Sequence, residues 1–232
     1  MRKFEVVLHV SAVGEVSEDV DGIVVPYAEL GVGTLVPRLP DPVEVSEIAD
    51  EAREHGLEVE VMFDAVCLGG APLSTEGGYL AELDLMLEDI DPDGVIVADP
   101  YLVEILGGRG PRVIVSHTAW VDVPEKAKFF VELGADVLTL DPSLNDDPDA
   151  VIGIKSAVPD VDLRAAVGAL SYSDPVVYFE RNLASHLSID GRVPSPYRDD
   201  PYRPMVRCES STEPSAEAPF DEVIYVGVEG LP

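Results

Sequence analysis

Eight short apolar runs recur along the chain: FEVVLHV from Phe4, GIVVPY from Gly22, LEVEVMF from Leu57, GVIVAD from Gly94, RVIVSH from Arg112, DVLTLD from Asp136, LRAAVGAL from Leu163 and EVIYVGVEG from Glu222. Between most of them lie segments with apolar residues at three and four spacing: PVEVSEIADEAREHG, GGYLAELDLMLEDI, DPYLVEILG, VPEKAKFFVELG and DPDAVIGIKSAVP. Strand-length runs alternating with helix-period segments are the pattern of βα units and a parallel sheet. Eight such units predict an α/β fold, a (β/α)8 TIM-like barrel. Two connections depart from the repeat. Residues 11–21 are too few for a full first helix, and residues 171–221 are long and rich in Pro, Ser, Asp and Arg. The expected fold is therefore an irregular barrel with a shortened first helix and a long loop before the last strand, one domain over residues 1–232 with 171–221 as an elaborated loop.

At 232 residues and 46% hydrophobic content the chain can bury a sizeable core. The absence of an 18-residue apolar run, together with an N-terminus (MRKFEVVLHVSAVGEV) lacking a signal-like cleavage region, leads us to expect a cytoplasmic protein without a membrane partner. Forty-five acidic residues against 15 basic ones give a net charge of −30. Such a surface repels phosphate backbones and makes nucleic acid an unfavoured partner. It fits a protein kept hydrated in a very salty interior, where ions screen the self-repulsion. The two cysteines, Cys67 and Cys208, form no CxxC pair and are read as free thiols.

In a barrel the chemistry sits where strands end, and the residues closing the apolar runs are polar: His9, Asp64, Asp99, Ser116 with His117, Asp141 and Glu229. Asp99 and Asp141 read either as pocket carboxylates that bind a ligand or as N-caps, since each precedes Pro and a helical segment. His9, Asp64, His117 and Glu229 are a candidate open metal site of the His/carboxylate type, so a divalent metal is a possible cofactor. His55, just before Gly56 at the end of a helix, is given no chemistry. There is no G-x-S-x-G elbow and no phosphate-binding glycine motif.

The segments GGYLAELDLMLEDIDPDGVIVADPYLVEIL and VIVSHTAWVDVPEKAKFFVELGADVLTLDPSL, followed by FERNLASH, PYRPMVRC and VGVEG, resemble the peptidase U32 (collagenase-like) family. FERNLASH is similar to its Phe-His-x-Asn-x-x-Ser-His pattern through Phe179, Asn182, Ser185 and His186; PYRPMVRC matches its Arg-Cys segment at Arg207 and Cys208, and VGVEG its closing Glu-Gly at Glu229. Barrel members of this family include hydroxylases that carry an iron–sulfur cluster. This chain has SYSDPVVYFE where the family has cysteines and a histidine, so Glu180 replaces the His and no cluster is expected.

The resemblance implies a small polar or peptide-like ligand bound at the C-terminal rim, with its processing there as a further expectation. His186, Glu180 and His117 are the acid/base candidates, and Asn182, Ser185, Arg207, Asp99 and Asp141 the ligand-binding ones. Two alternatives stand beside this: a non-catalytic scaffold or interaction subunit, and a metal-dependent hydrolase or lyase.

Overall fold

A computed structural model of the chain describes residues 1–34, 39–66, 68, 70–73, 78–169 and 211–226. Eight parallel strands close into a barrel in sequence order: β1 (Arg2–Val6), β2 (Gly22–Pro26), β3 (Glu58–Met62), β4 (Gly94–Val97), β5 (Arg112–Val115), β6 (Val137–Thr139), β7 (Asp162–Val167) and β8 (Glu222–Tyr225). The circle is completed by β8 pairing with β1, with Phe4 opposite Ile224. The expected (β/α)8 architecture is thus present.

Among the described residues five helices of about two turns or more cover the outside: α2 (Pro42–Glu54), α3 (Tyr79–Ile90), α4 (Pro100–Leu106), α5 (Pro124–Glu132) and α6 (Pro148–Ala157). The connection after β1 holds only the single turn α1 (Val10–Val13), as its length requires. Helix starts follow local chemistry. Asp41, Asp99 and Asp147 each accept a backbone N–H in the first turn, and Pro follows each at the first helical position, where its missing N–H costs nothing. His55 closes α2, ahead of Gly56 at φ +75°. No helix among the described residues is long and apolar enough to cross a membrane.

Alternation along the strands separates two apolar sets. One residue from each strand fills the barrel interior: Phe4, Val24, Met62, Ile96, Ile114, Val137, Ala166 and Ile224. Their outward neighbours, among them Val59, Val61, Val113, Leu138 and Leu163, pack under the helices.

The interior phase changes character on either side of this apolar layer. Towards the strand N-termini it carries Glu60, Arg164 and Glu222, all buried. Arg164 grips Glu60 bidentately (Nη1 to Oε2 at 2.6 Å, Nη2 to Oε1 at 2.7 Å), and its Nε donates to Glu222 Oε2 at 2.8 Å. Its guanidinium also lies 4.3 Å from the centre of the Phe4 ring. Arg112 Nη2 donates to Glu222 Oε1 at 2.6 Å, and Arg2 Nη1 approaches the same oxygen at 3.3 Å. The barrel floor is thus an ionic plug. Two glycines share its level, and at Gly22 an added methyl would lie 2.8 Å from both Glu58 O and Phe4 Cε1. Because one of these is backbone, Gly22→Ala is expected to cost about 1–3 kcal/mol in urea unfolding; an unchanged midpoint would show that the floor can yield.

Candidate functional site

Two residues beyond the apolar layer, the same inward phase reaches the C-terminal mouth with Asp64 after β3 and Ser116 after β5. Asp64 is fully buried and its carboxylate is filled by hydrogen bonds. Oδ1 accepts the amides of Gly33 at 2.8 Å and Thr34 at 2.9 Å; Oδ2 accepts the hydroxyls of Thr34 at 2.5 Å and Ser116 at 2.6 Å. Thr118 Oγ1 donates to the Asp64 carbonyl at 3.0 Å. An ionised carboxylate offers about four lone-pair sites; the four short hydrogen bonds occupy them here, and Thr118 Oγ1 lies a further 3.3 Å from Oδ2. The loops that follow β2, β3 and β5 are tied together through this one side chain.

His117 is buried beside it, 4% exposed. Burial alone would raise the Asp64 carboxyl, but the charge of His117 and the hydrogen bonds from Ser116 and Thr34 outweigh it and hold the group below the ordinary carboxylate value. An acid held low in this way is a weak general base. The order of the three groups also differs from that of a serine hydrolase. There the imidazole stands between acid and hydroxyl. Here Ser116 Oγ stands between, donating to Asp64 and lying 3.5 Å from His117 Nδ1, which is too long for a strong hydrogen bond.

Asp99 and Asp141 both act as caps. Asp99, half-buried, accepts the Tyr101 amide at 2.9 Å; burial raises its carboxyl, an effect reduced by its backbone hydrogen bonds. Asp141, 1% exposed, accepts the Ser143 amide at 2.9 Å and the Ser143 hydroxyl on the same oxygen. Burial raises its carboxyl too, partly offset by Ser143. Capping occupies one oxygen of Asp141 and leaves Oδ2 without a hydrogen-bond partner among the described residues.

Of the metal candidates, Asp64 and His117 come together, whereas His9 is exposed at the start of α1 and Glu229 lies outside the described residues. With its lone pairs taken, Asp64 has no open direction for a cation. No group of three His, Cys, Asp or Glu side chains among the described residues is placed to hold one. Glu180, Asn182, Ser185, His186 and Arg207, together with Cys67 and Cys208, also lie outside the described residues. The sequence reading missed Thr34 and Thr118, whose only signal is a hydroxyl near a strand end.

No protein-family model matches the chain. It is 31% identical over 159 residues to an uncharacterized protease of Methanocaldococcus jannaschii, an alignment taking in 68% of this chain and 48% of that protein, so the chain spans about half the length of its curated relative. It superposes on the solved structure of the U32 peptidase Mk0906 with a TM-score of 0.89 and 45% identity, covering 100% of this chain and 94% of that one. Close identity along nearly the whole of both chains, on one barrel, places this protein in the U32 peptidase family.

Proposed function

We propose that this U32-family barrel binds a small polar or peptide-like ligand at the C-terminal rim, with His117, Asp99 and Asp141 among the residues that face it. The observation supporting this is the polar set Asp64, Ser116 and Asp141 in the inward phase above a wholly apolar layer. A barrel whose floor is filled by apolar side chains and a self-paired ionic plug leaves the strand C-termini as the end with polar groups for a ligand, where barrel enzymes keep their sites. Fold alone does not supply the reaction. Within this reading Asp64 is a positioning residue that fixes the rim loops and the place of His117. Processing of the ligand would fall to His117 with Glu180 and His186.

Calorimetric titration of trialanine and triglycine into the full chain tests the binding step. Binding is expected, and His117→Gln should weaken it by about tenfold, or 1.4 kcal/mol. Absence of heat with either peptide, or equal affinity in the variant, would remove the peptide-like ligand or the role of His117 respectively.

A further inference from the structure

The loop leaving β6 carries two buried acceptor atoms with no donor among the described residues. Asp141 Oδ2 is one of them. Four residues on, Asn145 is 2% exposed, and its Nδ2 donates to the carbonyls of Ala166 at 2.9 Å and Thr212 at 2.7 Å. Two carbonyl partners on one amide atom fix it as the nitrogen, so the atom left buried and unpartnered is the oxygen, Oδ1. Buried polar atoms are almost always satisfied, and two orphans of the same polarity on one short loop call for an explanation.

Their placement points to the mouth. Val137 belongs to the inner apolar set while Leu138 and Leu140 pack outward, so residue 141 falls in the inward phase. Asn145 is held at the C-terminal half of β7, through the backbone carbonyl of Ala166.

The chemistry of the missing partner follows from the acceptors. Asn145 Oδ1 can only accept, and so can an ionised Asp141. An anion would meet the charges of Asp141 and Asp122. Lys126 does not supply the donor, being engaged with Asp122 Oδ1 at 2.7 Å and the Trp120 carbonyl at 2.9 Å while its Nζ lies over the Trp120 ring. We propose that this loop receives a protonated amine of the ligand, its N–H groups donating to Asp141 Oδ2 and Asn145 Oδ1. This rests on the reading of the rim as the ligand site and narrows the ligand class to molecules bearing a primary ammonium.

The test uses the full chain labelled with nitrogen-15 and two cations of equal charge, methylammonium with three N–H donors and tetramethylammonium with none. Methylammonium should shift the amide signals of Asp141, Ser143 and Asn145 in a saturable way, and tetramethylammonium at least about tenfold more weakly. Asp141→Asn keeps the capping oxygen but turns the orphan acceptor into a donor, and should abolish the response. Equal response to both cations, or a response that survives in the variant, overturns the proposal, as does no shift at all, which would mean that ordered waters complete the two oxygens. If the variant does not fold, the comparison of cations on the natural chain still decides. Tripeptide binding without any methylammonium response would overturn the amine assignment and leave rim binding standing; the converse result would support the amine site and remove the peptide-like reading.

Discussion

Arg164→Met is expected to lower the unfolding free energy by about 3–5 kcal/mol, because it strips buried Glu60 of the guanidinium that grips it and leaves Glu222 with Arg112 and Arg2 alone. Glu60 is 1% exposed and Glu222 fully buried, and both are bonded by the Arg164 guanidinium. Burial by itself would lower the Arg164 pKa, but the two glutamates outweigh it and push it further above its ordinary value, so the group is charged at every working pH. Glu222 would be raised by burial, yet Arg164 and Arg112 hold it below the usual carboxylate range. The variant removes the main source of that depression. Urea unfolding of both chains at neutral pH measures the loss. Replacing Glu60 and Glu222 by Gln in the Arg164→Met background should recover part of it, since neutral amides carry no uncompensated charge. A single substitution costing under about 1 kcal/mol would show that water reaches the plug and screens it.

The barrel itself was legible because period is a local property. Six of the eight apolar runs contain the strands assigned to them; β1 begins two residues before its run, at Arg2, and β7 one residue before, at Asp162. Each of the five helix-period segments holds a helix, and the shortage of residues after β1 limits that connection to one turn. Strand-end polarity likewise pointed to Asp64, Ser116 and His117, which do meet. What escaped was partnership at a distance. Glu60 and Arg164 pair across 104 positions, and nothing in either strand names the other, although a charge in the inward phase of a barrel strand is itself a sign of a buried pair. Thr34 escaped because a hydroxyl in a glycine-containing loop carries no period. The choice between cap and pocket at Asp141 had a mixed answer: one oxygen caps, and the other has no partner among the described residues.

Asp64→Ala should bring the second large loss, about 3–5 kcal/mol at neutral pH, and it should be pH-dependent in a direction the geometry sets. The substitution strips the acceptor from two amides and two hydroxyls and leaves the imidazole of His117 without its buried counter-charge. Since the folded carboxyl sits below its unfolded value of about 3.9, it binds protons more weakly when folded. Its contribution is therefore complete above that unfolded value and disappears as pH falls through the folded one. The natural chain should lose stability on acidification below about pH 4, while Asp64→Ala, already lacking the contribution, should lose less. Glu222 is depressed in the same sense and will leave some acid sensitivity in the variant, whereas Asp99 and Asp141, raised by burial, act in the opposite sense. Urea midpoints for both chains at steps between neutral and acid pH give the difference directly. A gap that narrows on acidification assigns an ionised Asp64 to the folded rim; a constant gap would mean that its carboxyl titrates alike in the folded and unfolded chains, and a gap that widens that it is neutral in the fold.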